Sequence, residues 1–258
     1  MSITLYHKVF LRVIHLLLIV LFFQSCRQSF VLNQSPKPAY SISAANSNLN
    51  DSAAEKLILP YRNPLEKSMQ EVVAVLDSPA VKGLPESSLG NIICDILLEE
   101  TQFRLGKKID FCFLNTGGLR VEWPQGAITR SMVYELMPFE NQLQVASFSG
   151  EQVLDLCRQI AGRNGGPVAG VTLEIKNNML LNARIGTHEI DPKEIYQVVS
   201  SDYLLNGGDK YIIPKPISIV PLNVLLRDAI LEYFERIKMS GKIISPRKDG
   251  RIINIDTP

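Results

Sequence analysis

The residues best equipped for chemistry are an amide and a guanidinium five positions apart, Asn115 and Arg120. They lie in the stretch Ile109-Asp110-Phe111-Cys112-Phe113-Leu114-Asn115-Thr116-Gly117-Gly118-Leu119-Arg120. An amide offers a donor and an acceptor to a polar edge, and a guanidinium can fork onto an oxyanion. The run of β-branched and aromatic residues predicts a strand that ends at Asn115, with Gly117 and Gly118 letting the backbone turn at positive φ. Taken alone, the stretch also fits a strand, a turn and a solvated Arg. Further along, Phe139 follows Pro138 at a corner, Tyr203 stands at a strand end, and Asp209 follows Gly207-Gly208. Read alone, these fit a core plug for Phe139, a strand-end core residue for Tyr203 and a turn residue for Asp209.

The elements that must position these side chains begin near Ala53. A short helix is predicted over 64–68, a strand over 70–76 and a loop over 79–85. Ser87 or Ser88 can cap the next helix, in which Leu89, Ile92, Ile93, Ile96 and Leu97 fall on one face. Beyond Arg120, Thr129 precedes a short helix that Pro138 stops, and 142–148 reads as a strand. Val153, Leu154, Cys157 and Ile160 mark another helix, which Asn164-Gly165-Gly166-Pro167 breaks. A hairpin is predicted from 171–175 and 179–185 across Asn177-Asn178, then a strand over 195–201. Pro221 is read as opening the longest amphipathic helix, with Leu222, Leu225, Leu226, Ala229, Ile230, Tyr233, Phe234 and Ile237 on one side, and 251–255 as a last strand. Helices and strands mix without strict βαβ alternation. The fold class is therefore α+β, a single layered domain over 53–258 with a mixed β-sheet and flanking helices.

The N-terminus reads as an export signal over residues 1–26. Lys8 and Arg12 precede an apolar run, 16–23, too short to span a bilayer comfortably. It ends in Phe23-Gln24-Ser25-Cys26, which resembles a bacterial lipobox and makes Cys26 the lipidated residue; an ordinary cleaved signal or an uncleaved anchor are the alternatives. Residues 27–52, rich in Ser, Asn, Pro and Ala, read as a flexible tether. The resulting expectation is an exported, membrane-anchored lipoprotein of the bacterial cell envelope.

At 258 residues with 46% apolar content the chain can bury a real core, and a formal charge of +1 leaves no broad basic face for nucleic acid. Past the signal, His188 is the single histidine, beside Glu189 and Asp191 in a predicted loop, and no zinc-type Cys/His spacing occurs. Cys94, Cys112 and Cys157 sit among apolar neighbours and read as buried free thiols.

Four separated blocks then resemble one family in order. They are Glu86-Ser87-Ser88-Leu89-Gly90-Asn91 with Cys94-Asp95, Leu114 to Arg120, Met137-Pro138-Phe139, and Asp202-Tyr203 with Gly207-Gly208-Asp209. Together they resemble the C-terminal, substrate-binding domain of the 5'-nucleotidase family. The resemblance implies a nucleotide-binding domain in which Arg120 holds phosphate and Asn115 contacts the base. Phe139 and Tyr203 sandwich the base, with Tyr203 where the family commonly has Phe, and Asp209 accepts hydrogen bonds from the ribose hydroxyls. In the family a separate metallophosphoesterase domain carries two metals and the catalytic His, and this chain has no Asp-x-His, no Gly-Asn-His and no His pair. The expectation is no catalytic residue, metal site or cofactor in this chain, with divalent metals in a separate metallophosphoesterase chain that acts with it on nucleotides. A non-catalytic nucleotide-binding or scaffold lipoprotein is the alternative. It is favoured by Gly83, which stands about where the family has a further phosphate-binding Arg, leaving only neighbouring Lys82 as a cation.

Overall fold

Five strands at the centre of residues 53–258 set the place of every candidate site residue. The structure, a computed structural model, describes residues 10, 13–15, 52–238 and 241–256. Cys26 lies outside the described residues, as do most of the 1–26 signal and, Ser52 apart, the 27–52 tether. Among the described residues no helix is long and apolar enough to cross a membrane. In chain order the elements are α1 (Ser52–Met69), β1 (Val72–Leu76), α2 (Ser88–Leu105), β2 (Phe111–Phe113), β3 (Gly126–Thr129), α3 (Arg130–Leu136), β4 (Gln142–Ser149) and α4 (Gly150–Gly162). There follow β5 (Val168–Ala169), β6 (Val171–Lys176), β7 (Met179–Ile185), β8 (His188–Glu189), β9 (Ile195–Ser201), α5 (Asp202–Leu205), β10 (Ser218–Leu225), α6 (Leu226–Lys238) and β11 (Ile252–Asn254).

The central sheet has the order β10-β4-β9-β2-β5. Within it β2 runs parallel to β9, and the other neighbouring pairs are antiparallel. Side chains alternate across it. Phe111, Phe113, Ala146, Phe148 and Val198 face a core shared with Val153, Leu156 and Ile160 of α4 and with β6. Cys112, Leu114, Leu143, Val145 and Val199 face a second core with Leu89, Ile93 and Leu97 of α2 and Ile230 and Phe234 of α6. Both faces are covered, which is why β2 reads as an unbroken apolar run rather than an alternating one. A four-stranded sheet, β11-β6-β7-β8, and the β1-β3 pair complete the layers. The strands thus divide among three sheets, and the α+β class with mixed sheet and flanking helices holds.

Local chemistry explains the element ends. The Ser87 side chain accepts the Gly90 N–H to start α2, and left-handed Gly106 stops it. Ser149 and Gln152 form a reciprocal capping box at α4. The β6–β7 hairpin turns through Asn177 and Asn178, both at positive φ. Cys94, Cys112 and Cys157 are buried free thiols.

Four expectations are corrected. Pro221 does not open a helix; it lies in β10, opposite Gln144 of β4. β10 is the edge of the sheet, where a residue without an N–H is tolerated; the register shifts between Pro221 and Leu225, with Asn223 at φ 53°, and pairing resumes at Leu225 opposite Gln142 just before α6 begins at Leu226. The helix expected over 64–68 spans 18 residues and passes through Pro60 and Pro64 with none of its residues buried. These prolines are four apart, so the hydrogen bonds they omit fall on one side and the helix continues. Gly117 and Gly118 do not take positive φ; they form a short 3₁₀ turn with Thr116. His188, read as a loop residue, lies in the short exposed strand β8.

Candidate functional site

The site is assembled by strand direction. Because β2 and β9 are parallel neighbours, the segments that follow them emerge at the same edge of the sheet. β4 runs antiparallel to β9, with Leu143 opposite Ser201, so the segment preceding β4 arrives at that edge too. Asn115–Arg120, Asp202–Asp209 and Met137–Asn141 are those three segments.

A cleft at this edge is lined by Asn115, Gly118, Phe139, Asn141 and Ser201 among others. A shallower opening, lined by Asp202, Tyr203, Gly207 and Gly208, adjoins it through the shared residue Asn141. Asn115 caps the 3₁₀ turn without a side-chain bond to it. A Cβ at Gly118 would lie 2.8 Å from the Asn115 Oδ1, so glycine is needed there for space around the amide rather than for φ. The Arg120 N–H donates to the Leu136 carbonyl (2.9 Å), and its guanidinium lies 5.8 Å from the Phe139 ring centroid. One Arg120 Nη1–H donates to the Gly117 carbonyl at 3.3 Å. The Phe139 backbone is held through its carbonyl, which accepts from Arg227 Nη1 (3.2 Å).

Neither ring is a core plug. Phe139 is 46% and Tyr203 47% exposed, although Leu204 beside Tyr203 is fully buried. Tyr203 lies on the short helix α5, not on a strand, and its hydroxyl accepts the Asp209 N–H at 2.9 Å. Asp209 stands at φ 53°, ψ 30°. The structure therefore joins Asn115, Arg120 and Phe139 in one group and Tyr203 and Asp209 in another, and the two meet at Asn141. Among the described residues no hydrogen bond or ion pair links Arg120 to Asp209.

Sequence reasoning gave no role to two residues here. Asn141 lines both openings; its position two residues after Phe139 was the only available signal. Asp202 Oδ1 accepts the N–H of Gln142 (3.0 Å) and of Tyr203 (2.7 Å), tying the start of β4 to the start of α5. Lys82 does not extend a free ammonium: its Nζ donates to the Leu119 and Arg120 carbonyls, each at 3.1 Å.

The Glu86–Asp95 block serves the scaffold. Buried Glu86 accepts Asn91 Nδ2–H (2.6 Å) and the N–H groups of Asp249 (2.8 Å) and Gly250 (3.1 Å). Asp95 pairs with Arg251 at 2.7 and 3.0 Å, yet burial still raises its pKa above the usual carboxylate value. The same Arg251 holds Asp249 below that range. Among the described residues no three His, Cys, Asp or Glu side chains converge to hold a metal, so these residues do not fit a two-metal centre.

Comparison with known proteins gives the family described as 5'-nucleotidase, C-terminal domain, matching residues 72–215. The chain is 26% identical over 226 residues to the trifunctional nucleotide phosphoesterase protein YfkN of Bacillus subtilis, covering 77% of this chain and 15% of that protein. It is 27% identical over 183 residues to the cell wall protein Lmo0130 of Listeria monocytogenes, covering 64% of this chain and 23% of that protein. A crystal structure of a 5'-nucleotidase precursor from Thermus thermophilus shares the fold, with a TM-score of 0.67 and 24% identity over 80% of this chain and 44% of the other. The chain thus spans less than half the length of each of these proteins.

Proposed function

The chain belongs to the family of 5'-nucleotidase C-terminal domains, and from that premise we propose that it is the nucleotide-binding half of an exported 5'-nucleotidase. The observation that carries the reading is the pair of half-exposed rings, Phe139 lining one and Tyr203 the other of the two openings that share Asn141. Water-exposed aromatic faces are a cost that a stacked base offsets. Asn115 offers its amide to the base, Arg120 its guanidinium to the phosphate, and Asp209 a carboxylate to the ribose diol. The divalent metals and the hydrolytic step lie outside these 258 residues, in which His188 is the only histidine past the signal, and a metallophosphoesterase made as a separate chain is the source we propose. Lys8, Arg12, the apolar run 16–23 and Cys26 support export and a lipid anchor, and one relative is named a cell wall protein.

The second reading, a scaffold lipoprotein that binds nucleotide and hydrolyses nothing even with a partner, is favoured by Lys82. Lys82, beside Gly83, spends its ammonium on the Leu119 and Arg120 backbone carbonyls, which leaves the phosphate role to Arg120.

Titration calorimetry of nucleoside monophosphates against the purified chain tests the binding claim. Phe139→Ala and Tyr203→Ala should each lose about 1–3 kcal/mol. Equal affinity in all three proteins, or no binding at millimolar nucleotide, removes it. Phosphate release is the second arm: none from this chain alone with manganese, zinc or cobalt, and release upon adding the cognate phosphoesterase, reduced by Arg120→Ala. Full partner activity that ignores this chain favours the scaffold.

A further inference from the structure

We propose that the Tyr203 hydroxyl is a positioning group that locks Asp209 in the left-handed conformation, and so aims its carboxylate at the diol of a bound ribonucleotide. The inference rests on the nucleotide reading above and deepens it. Asp209 carries φ 53°, ψ 30° and the next residue, Lys210, φ 59°. Left-handed backbone is unfavourable for side-chain-bearing residues, so two in succession persist only where bonds on both sides hold them.

Those bonds are present. On the amide side the Asp209 N–H donates to the Tyr203 hydroxyl at 2.9 Å. On the carbonyl side Arg163 Nη2 donates to the oxygens of Asp209 (3.3 Å) and Lys210 (2.9 Å). Arg163 is itself fixed, its guanidinium lying 4.0 Å from the centroid of the buried Tyr211 ring. The backbone of Asp209 is therefore pinned fore and aft, while its carboxylate carries no hydrogen bond or ion pair among the described residues.

Gly208 completes the device. A Cβ there would come within 2.6 Å of two Tyr203 ring carbons and 2.5 Å of the Tyr203 carbonyl oxygen. Only glycine lets the ring lie against the turn closely enough for its hydroxyl to reach the next amide. A phenylalanine at 203 could present the same stacking face but has no oxygen to accept that N–H. Released, Asp209 can relax to negative φ, which swings its Cα–Cβ bond and withdraws the carboxylate. The hydroxyl thereby couples base stacking to ribose recognition through one side chain.

The test compares adenosine monophosphate with its 2',3'-dideoxy analogue, by calorimetry on the purified chain. Wild type should prefer the ribonucleotide. Tyr203→Phe keeps the ring, so affinity for the dideoxy analogue should stay within about twofold, whereas affinity for adenosine monophosphate should fall roughly three- to tenfold, the worth of one hydrogen bond. The Asp209 amide should also exchange with deuterium faster in Tyr203→Phe. An unchanged ribo-to-dideoxy ratio, equal weakening of both ligands, or unaltered Asp209 exchange overturns the positioning role. Phe139→Ala separates this failure from that of the underlying reading. If it loses adenosine monophosphate while Tyr203→Phe keeps wild-type selectivity, positioning alone fails. If wild type and Phe139→Ala bind alike, or neither binds, the nucleotide reading fails and takes the inference with it.

Discussion

Removing the Glu86 carboxylate tests whether the most recognisable block of the sequence is structural. Glu86 is 5% exposed and Asn91, one of its partners, 2%. Glu86→Ala deletes three acceptor contacts: Oε1 with Asn91 Nδ2 (2.6 Å) and the Asp249 amide (2.8 Å), and Oε2 with the Gly250 amide (3.1 Å). Asn91 keeps one bond, to the Arg247 carbonyl at 3.1 Å, so its other N–H is left without a partner away from water, at about 1–3 kcal/mol. Asp249 and Gly250 are exposed residues whose amides can turn to water, so they add about 0.5–1.5 kcal/mol each. The sum is roughly 2–6 kcal/mol, and Glu86→Gln, which keeps one acceptor oxygen, should lose about half as much. Urea denaturation followed by far-ultraviolet circular dichroism reads both, and a domain of this size should lose about 2–4 °C of Tm per kcal/mol. Faster amide exchange should appear first in β11, because Glu86 bonds the residues that lead into it. A loss under about 1 kcal/mol in Glu86→Ala, or identical losses in the two variants, would refute the anchoring argument. Loss of nucleotide binding at unchanged stability would return Glu86 to the site.

Gly118→Ala should cost under about 1 kcal/mol of stability, because only the movable end of Asn115 must give way, yet it should weaken nucleotide binding measurably by calorimetry. An unchanged Kd would detach Asn115 from the ligand. Burial pushes the Cys157 thiol from 9.0 up to about 12, so its contribution is fully present below pH 9 and is lost as pH rises toward 12, where the unfolded chain alone releases the proton. Stability should fall by about 1 kcal/mol between pH 9 and 10 from this group, and Cys157→Ala should flatten that slope in urea midpoints; Tyr211, also raised to about 12 by burial, acts in the same direction. Cys26→Ala should release the protein from membranes or leave it unprocessed; unchanged fractionation together with an unchanged mature N-terminal mass would reject the lipid anchor.

How much of this was legible in the sequence depended on whether a signal was local. The α2 cap at Ser87, the Asn177-Asn178 hairpin and the β4 strand were legible because propensity, spacing and burial agree within a dozen residues. The β10–α6 boundary was not. Leu222, Leu225, Leu226 and Ala229 keep a helical spacing across a break that only the sheet edge explains, and a proline that suits a helix start suits an edge strand equally. Gly118 was misread, and Gly208 left unread, for a related reason. At Gly118 and Gly208 the constraint is not φ but a neighbouring side chain, Asn115 in one case and the Tyr203 ring in the other, and no propensity encodes that.

The candidate site divides along the same line. Asn115, Arg120, Phe139, Tyr203 and Asp209 were legible as residue types at family-like spacing, but what gathers them is strand direction, a property of the sheet. Had β2 paired antiparallel to β9, the Asn115 segment would leave the opposite edge and the cleft could not form. Asp202 makes the point at the level of one atom: its Oδ1 bonds an amide 60 residues away and the amide next to it, so its worth is invisible until β4 and β9 lie side by side. Tyr203 adds the converse case. Its hydroxyl, the one feature that separates it from the Phe the resemblance leads one to expect, reaches only six residues along the chain, to Asp209. It stayed unread because the left-handed turn that brings the two together exists only once Gly208 has admitted the ring.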